Sequence, residues 1–160
     1  MKELSEQEAW LRLSTLCANG EHCQHEITSK MRRWCIGDDA QARIMERLTK
    51  ERYVDDERYA RAYVNDKVRF DKWGPHKLEE GLWLRHISED IQQRVLNEVD
   101  PELYVDNLRT LLKAKQKSTK AKDDYELRQK LIRYALSRGY SFDMIKQAMD
   151  VEGVEVSDER

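Results

Sequence analysis

The side chains best suited to chemistry are cysteines and histidines near the N-terminus of this sequence. They are Cys17, His22, Cys23, His25 and Cys35. Thiolate and imidazole are the natural ligands of a tetrahedral zinc ion. Structural zinc sites pair ligands two to four residues apart around a turn, whereas Cys17 and Cys35 fall on predicted helices as apolar-face residues. The pattern therefore favours buried free cysteines, and no metal or other cofactor is expected.

Catalytic groups are equally hard to assemble elsewhere in the sequence. The acidic pairs Asp55-Asp56, Glu79-Glu80 and Asp123-Asp124 have the chemistry to hold a divalent metal or to act as acid and base. Each lies near a predicted helix N-terminus or on a solvated face, where charge complementarity explains it. The six glycines are scattered, and no phosphate-binding loop, nucleophile elbow or H-E-x-x-H pair occurs. We therefore expect a binding protein that is not an enzyme.

Composition favours helices throughout the chain. Charged residues make up 38% and hydrophobic residues 39% of the 160 positions, with only 6 Gly and 2 Pro, so residues that hairpins need are scarce. Alternating runs of β-branched residues are missing, and no strand is predicted. No apolar run approaches the roughly 18 residues needed to span a membrane, and no targeting segment is visible. An odd cysteine count without a secretion signal suits the cytoplasm.

A short junction occurs three times in the sequence. The copies are Trp34-Cys35-Ile36-Gly37-Asp38-Asp39, Arg85-His86-Ile87-Ser88-Glu89-Asp90 and Arg138-Gly139-Tyr140-Ser141-Phe142-Asp143. Each places a Gly or Ser able to cap a helix after an apolar residue, so each ends one helix and begins another. Apolar residues lie at matching distances from all three, in steps of four: Ile27, Met31, Ala40 and Ile44; Leu78, Leu82, Ile91 and Val95; Leu131, Ala135, Met144 and Ala148. Such steps predict two helices with inward apolar stripes.

A further helix is predicted before each pair of helices. The first runs from about Ser5 to Ala18 behind a capping box, and the second extends from Asp55 to Trp73. The third begins at Asp100-Pro101 and has an apolar face made by Leu103, Leu108, Leu111 and Leu112. A polar loop is expected at 115–123.

These helices predict an all-α chain of three tandem three-helix repeats. The predicted repeats are residues 1–52, 53–100 and 101–150, followed by a frayed acidic tail at 151–160. Because a unit of about 50 residues buries little surface alone, neighbouring repeats should complete one another's cores. We expect an elongated, curved array with an extended surface for a partner.

Charge is distributed unevenly among the repeats. The net charges of 1–52, 53–100, 101–150 and 151–160 are 0, −3, +4 and −3, which sum to −2. Residues 113–122 contain five lysines and no acid, which suits contact with phosphates or an acidic groove, or equally a solvated loop. Residues 67–77 interleave basic side chains with Phe70 and Trp73, for which core packing and partner contact both stay open.

In all three of its repeats the sequence resembles the RecX family of bacterial regulatory proteins. The second repeat carries the match in Tyr53-Val54-Asp55-Asp56 and Arg58-Tyr59-Ala60, followed by Gly74 and Ile87. The third carries it in Arg138-Gly139-Tyr140-Ser141, and the first in Ile27, Lys30-Met31, Trp34 and Ile36. The resemblance covers roughly residues 9–150. Cys35 and His86 occupy positions where the family usually has glycine, so these residues must be left-handed or the helices must end differently.

The resemblance implies a protein that binds the RecA recombinase filament on single-stranded DNA. It implies restraint of recombinase, ATPase and coprotease activities in homologous recombination, DNA repair and the SOS response, with no activity of its own. A monomer with at most weak direct DNA contact is expected. The residues expected to bind the partner are Lys67, Arg69, Lys72, Lys77, Arg85, Lys113, Lys115, Lys117, Lys120, Lys122, Arg128, Arg133 and Arg138.

The motif residues assigned mainly to architecture form a separate group. They are Asp55, Asp56, Tyr59, Gly74, Ile87, Gly139 and Tyr140. Two other classes of function stay open at this point. One is a helical-repeat protein that binds single-stranded nucleic acid directly through its basic third repeat, and the other is a metal-dependent enzyme.

Overall fold

The computed structural model describes residues 4–151, which form α-helices joined by short connections. The helices are α1 (Glu6–Ala18), α2 (Gln24–Arg33), α3 (Asp38–Lys50), α4 (Asp56–Asp66), α5 (Pro75–Leu84), α6 (Glu89–Asn97), α7 (Pro101–Ser118), α8 (Asp124–Ser137) and α9 (Phe142–Val151). A π-helical turn, Lys67–Asp71, follows α4. Residues 4–151 contain no strand, so the all-α prediction is confirmed. The predicted tail lies outside the described residues apart from Val151.

The first helix of each repeat begins at a side-chain cap. The Glu8 amide donates to Ser5 Oγ at 3.1 Å, and the Ser5 amide donates back to Glu8 Oε1 at 3.3 Å, which completes the predicted capping box. Asp55 Oδ1 accepts the Arg58 amide at 3.0 Å. Asp100 Oδ1 accepts the Glu102 amide at 3.0 Å, directly before the proline of α7. These caps fix where α1, α4 and α7 start.

The three junctions close their helices in the same way. A left-handed residue ends the middle helix of each repeat, with φ of 58° at Cys35, 56° at His86 and 95° at Gly139. The next amide then reaches the carbonyl five residues back, at 3.1 Å from Ile36 to Met31, 3.1 Å from Ile87 to Leu82 and 3.2 Å from Tyr140 to Ala135. These are Schellman closures, and Cys35 and His86 adopt the left-handed conformation that the sequence requires of them.

The apolar positions matched around the junctions form the core. The residues nine before, five before and eight after the central junction residue are at most 3% exposed in every copy: Ile27, Met31 and Ile44; Leu78, Leu82 and Val95; Leu131, Ala135 and Ala148. The residues four after it, Ala40, Ile91 and Met144, are half-buried in all three copies. The repeat read from the sequence is therefore a repeat of buried positions.

Helix α7 differs from its prediction at both ends. Leu103 is 44% exposed, because the inward stripe of α7 is formed by Tyr104, Val105, Leu108 and Leu112. At the other end α7 continues to Ser118, so the loop expected at 115–123 shrinks to 119–123. Lysine, glutamine and alanine are good helix formers, and nothing in the segment interrupts them before Thr119.

The helix predicted from Asp55 to Trp73 is interrupted. Helix α4 ends at Asp66, and the π-helical turn adds a residue to the following turn. Val68 is buried there, while Phe70 is 69% exposed. The core role that stayed open for Phe70 is therefore wrong.

The residue contacts divide the chain into two compact units. Unit 1 is the chain up to Tyr63 together with Leu82–Val95, and unit 2 is Val64–Gly81 together with the chain from Leu96. The divisions fall inside α4, α5 and α6, so each of these helices contributes to both units. The repeat boundaries proposed from the sequence stay a prediction. No helix between residues 4 and 151 combines the length and apolarity needed to cross a bilayer.

In unit 2, the backbone at Gly74 lies directly against the backbone at Gly139. The Gly74 amide donates to the Arg138 carbonyl at 2.8 Å, and the His76 amide donates to the Gly139 carbonyl at 3.0 Å. A Cβ atom on Gly74 would lie 2.5 Å from both the carbonyl carbon and the carbonyl oxygen of Gly139. Only glycine permits this approach.

Side chains fasten the same segment. The Tyr140 hydroxyl donates to the Lys72 carbonyl at 2.6 Å, and burial raises the pKa of this phenol, which keeps it protonated as a donor. Asn107 Nδ2 donates to the Val68 carbonyl at 3.1 Å. The segment from the π-helical turn to α5 is thus held by α7 and by the junction between α8 and α9.

Replacement of Gly74 by alanine should destabilise unit 2. The added Cβ atom meets backbone that cannot retreat without breaking two hydrogen bonds, so Gly74→Ala should cost about 2–3 kcal/mol. The matched control is Gly20→Ala, because a Cβ atom on Gly20 meets nothing within 4 Å. The control should stay within about 1 kcal/mol of the parent in urea unfolding. Equal stability of the two variants would contradict the close approach.

Replacement of Cys35 by glycine should stabilise unit 1. A non-glycine residue in the left-handed region is strained by about 1–2 kcal/mol, and Cys35→Gly removes this strain. Part of the gain is lost because glycine makes the unfolded chain more flexible and so raises its entropy. We expect a net gain of about 0.5–1 kcal/mol in the free energy of unfolding. Cys35→Ala removes the exposed thiol but keeps Cβ, so its stability should match the parent. Thermal unfolding of the two variants in parallel separates the backbone effect from loss of the thiol.

Candidate functional site

The residues expected to bind a partner, apart from Arg85, all lie in unit 2. One group, here called the turn cluster, surrounds the π-helical turn and consists of Lys67, Arg69, Lys72, Lys77 and Arg138. A second group, the lysine cluster, lies at the end of α7 and in the connection to α8, and consists of Lys113, Lys115, Lys117, Lys120 and Lys122. Helix α8 has 14 residues. It links the connection that contains Lys120 and Lys122 to Arg138 of the turn cluster.

Trp73 organises part of the turn cluster. The Lys67 ammonium lies 4.8 Å and the Lys77 ammonium 4.9 Å from the centre of the Trp73 ring. Lys67 Nζ is also 3.3 Å from Asp71 Oδ2. Because the half-buried indole attracts both cations, it keeps two positive charges at one place on the surface.

Lys72 and Arg138 also have structural roles in the turn cluster. Lys72 is left-handed, with φ of 53°, and its carbonyl accepts the Tyr140 hydroxyl. Arg138 Nη2 donates to the Asp71 carbonyl. The Arg138 Nε atom is buried without a partner among the described residues. These two residues tie the π-helical turn to the α8–α9 junction.

Arg69 and Phe70 form the exposed part of the turn cluster. The Arg69 guanidinium lies 5.3 Å from the centre of the Phe70 ring, and both side chains face solvent. An exposed aromatic ring beside a guanidinium suits stacking on a nucleobase, and aromatic and arginine side chains also dominate protein–protein contacts. This pair is the part of the cluster whose chemistry is not used inside the fold.

The lysine cluster combines a helix end with an ordered connection. The Lys115 ammonium lies 4.9 Å from the centre of the Tyr134 ring. Lys130 Nζ donates to the Lys120 carbonyl at 2.7 Å and lies 3.1 Å from Glu126 Oε1, which fastens the connection to α8. Lysines in the last turn of α7 also complement the negative end of the helix dipole.

Two arginines lie along α8 between the clusters. Arg128 is half-buried, and its Nε atom has no hydrogen-bond partner within the described part of the chain. Arg133 is exposed. The predicted basic residues of unit 2 therefore form two clusters, and Arg128 and Arg133 lie on α8 between them.

Arg85 belongs to unit 1, where it lines a pocket of about 460 Å³ beside α2. Four further side chains that sequence reasoning did not assign to a binding site line the same pocket: His22, His25, Lys30 and Arg33. The signal was available, because His22, Glu26, Lys30 and Arg33 recur at steps of four and three along α2 and its cap. The approach of α5 to α2, however, joins residues about 60 positions apart, which no local pattern predicts.

The motif residues assigned to architecture make internal contacts. Asp56 Oδ1 accepts the Gln24 amide at the start of α2 at 2.8 Å, and burial raises the pKa of its carboxyl group. Tyr59 is buried, its hydroxyl donates to Glu26 Oε2 at 3.5 Å, and burial raises its pKa to about 12. Ile87 is 4% exposed.

The cysteines and histidines of the first repeat are dispersed. Within residues 4–149, no three side chains of Cys, His, Asp and Glu are arranged to share a metal ion. Cys17 and Cys23 are buried, and burial raises the pKa of the Cys23 thiol to about 11. Cys35 is exposed at its junction, so its prediction as an apolar-face helix residue is wrong. The reason is that its left-handed φ ends α2 before it.

Models of the three-helix domains of RecX match two segments of the chain. The second three-helix domain matches residues 55–96, and the third matches residues 102–149. Regulatory protein RecX of Clostridium perfringens (strain 13 / Type A) is 33% identical over 122 residues, which are 75% of this chain and 57% of that protein. Regulatory protein RecX of Prosthecochloris aestuarii is 29% identical over 131 residues, covering 81% of this chain and 83% of the relative.

Solved structures agree with the fold. The crystal structure of RecX from Lactobacillus salivarius has a TM-score of 0.81 at 20% identity, covering 91% of this chain and 95% of that one. A second crystal structure, of a regulatory protein RecX, has a TM-score of 0.85 at 19% identity, covering 91% and 73%. The chain spans a little over half the length of its clostridial relatives. It belongs to the RecX family of regulatory proteins.

Proposed function

We propose that this chain binds the RecA filament on single-stranded DNA and lowers its recombinase, ATPase and coprotease activities. The observation that carries the proposal is the presence of two clusters of basic side chains in unit 2, in a chain whose relatives are named regulatory proteins. A filament on single-stranded DNA offers phosphates along its length, and each phosphate that a lysine or arginine neutralises releases counterions. The partner's identity rests on the family resemblance.

The turn cluster is suited to a protein partner because it is rigid. Its backbone is fixed by the contacts of Gly74 with Gly139 and of Tyr140 with Lys72, so little conformational entropy is lost when a partner binds. Trp73 holds two ammonium groups, and Arg69 with Phe70 supplies an exposed aromatic and guanidinium pair. Such groups contribute most of the binding energy at many protein interfaces.

The mode of action that fits these features is occupancy rather than catalysis. A regulator that binds along a filament inhibits in proportion to the sites it fills, so the effect should saturate at a defined ratio to RecA. We propose that the chain acts as a monomer in the cytoplasm and that its direct contact with DNA is weak. A direct single-strand binder is the second candidate, because the net charge of residues 101–150 is +4.

The steady-state rate of ATP hydrolysis by RecA on single-stranded DNA tests the proposal. Adding the chain at a few-fold excess over filament sites should lower that rate several-fold, and the inhibition should saturate. The control is binding of the chain to the same strand without RecA over a range of salt. Unchanged hydrolysis, together with tight and steeply salt-dependent binding to the bare strand, would establish the second candidate instead.

Charge reversal separates the two clusters. Arg69→Glu with Lys77→Glu changes the turn cluster, and Lys113→Glu with Lys117→Glu changes the lysine cluster. Because like charges at an interface cost several kcal/mol, each double variant should need at least about tenfold more protein for the same inhibition of RecA. The matched control is Arg32→Glu with Lys50→Glu, which reverses two exposed charges in unit 1. If a cluster variant behaves like the control, that cluster does not bind the filament.

A further inference from the structure

The pocket beside α2 in unit 1 has the size and lining of a small-molecule site. Its volume of about 460 Å³ falls within the range of roughly 300–1,000 Å³ that such sites occupy. Leu16, Ile27 and Leu84 form an apolar wall. The polar lining includes His22, His25, Lys30, Arg33 and Arg85, together with a single acid, Glu26. The pocket therefore combines an apolar surface with an excess of groups that carry or accept positive charge.

Glu26 is held by contacts within the fold, and one carboxylate offsets only part of the charge of Lys30, Arg33 and Arg85. Glu26 Oε1 accepts the Cys23 amide at 3.2 Å and lies 3.4 Å from His22 Nδ1. Its other oxygen, Oε2, accepts the Tyr59 hydroxyl at 3.5 Å. Both oxygens thus have partners before any ligand enters.

Lys30 and Arg33 stand on the pocket without an acidic partner. Neither pairs with a carboxylate in the described part of the chain, and the Lys30 ammonium lies 5.8 Å from the centre of the Trp34 ring. The two residues are three positions apart on α2, so they project from the same helix face. A protein surface usually surrounds its cations with acids, and an unbalanced pair in a pocket indicates an anionic ligand.

His25 adds a flat ring to the lining of this pocket. It stacks on His86 with ring centres 3.8 Å apart and an angle of 29° between the planes. Imidazole and guanidinium planes are surfaces on which nucleobases stack, and guanidinium groups match the paired oxygens of a phosphate. The apolar wall beside the cations makes a phosphate with an attached nucleoside a better match than a bare carboxylate.

We infer that the pocket formed by His22, His25, Lys30, Arg33 and Arg85 binds the phosphate of a nucleotide, either free or within a single strand. Lys30 and Arg33 contact the phosphate oxygens, while His25 and the apolar wall face the sugar and base. This site lies in unit 1, whereas both basic clusters proposed to meet the recombinase lie in unit 2. Its ligand is tested without RecA, so the inference can fail while the proposed function stands.

Titration of the full chain with ADP and, separately, with a 15-residue oligothymidylate tests this inference. The readout is the nuclear magnetic resonance shift of the imidazole signals of His22 and His25, and neither titration contains RecA. Lys30→Gln with Arg33→Gln should weaken binding at least tenfold. Arg32→Gln should leave binding within twofold of the parent, because Arg32 is the neighbouring exposed arginine of α2 and does not line the pocket.

The two ligands distinguish the source of the phosphate. Binding of ADP at the imidazoles indicates a free nucleotide, and binding of the oligothymidylate alone indicates a strand. Absence of both, or binding that the double variant leaves intact, overturns the inference. An acidic hexapeptide that shifts the same signals more strongly than either phosphate ligand also overturns it. Since RecA inhibition is measured separately, its loss or retention in these variants does not decide the question.

Discussion

A left-handed residue at the end of the middle helix is the constraint on which each repeat depends. It turns the chain so that the next amide reaches the carbonyl five residues back, and the central residue of the junction then points inward. Ile36, Ile87 and Tyr140 hold this position, and the helices on both sides of each junction bury apolar residues at matching positions. The cost of a non-glycine residue at Cys35 and His86 is about 1–2 kcal/mol each, comparable to the two hydrogen bonds that the turn permits.

The third junction has acquired a second role. Gly139 is left-handed like its counterparts, but it also receives the backbone of another element of unit 2, since a Cβ atom there would lie 2.5 Å from the Lys77 amide nitrogen and Cβ. The Gly139 carbonyl accepts the His76 amide, and Tyr140 reaches the Lys72 carbonyl. The residue that ends α8 therefore also fixes the start of α5, and through it Lys77 and Trp73. The positions of the basic side chains depend on a backbone contact that carries no charge.

Local periodicity explains which parts of this fold follow from the sequence. The buried positions recur in steps of four around each junction, and the helix caps at Ser5, Asp55 and Asp100 have direct sequence signatures. The π-helical turn has none. Tyr59, Tyr63 and Phe70 continue a helical spacing in the sequence, but the extra residue in the π-helical turn rotates Phe70 outward and leaves Val68 inside.

The pocket in unit 1 depends on tertiary contacts, which local sequence patterns do not predict. The pocket in unit 1 joins α2 to the end of α5, where the Cys23 thiol meets the Arg85 carbonyl at 3.8 Å across 62 positions. Read along the chain, the cysteines and histidines of this region had the chemistry of zinc ligands, but their spacing was predicted not to form a zinc site. In the folded chain these residues have a different role. Cys23 is buried, His25 stacks on His86, and the charge of the pocket beside them comes from Lys30, Arg33 and Arg85.

Ion pairs distinguish the repeats more than the core does. Glu6 pairs with Arg43 at 2.8 Å and Glu57 with Arg94 at 2.7 Å, and each pair joins the first helix of a repeat to its third across 37 positions. The third repeat has Gln147 where Arg43 and Arg94 follow their junctions by seven residues. Because exposed pairs of this kind contribute only about 0–1 kcal/mol, their loss leaves the helices in place. The third repeat therefore lacks an ion pair at this position, while residues 101–150 carry a net charge of +4.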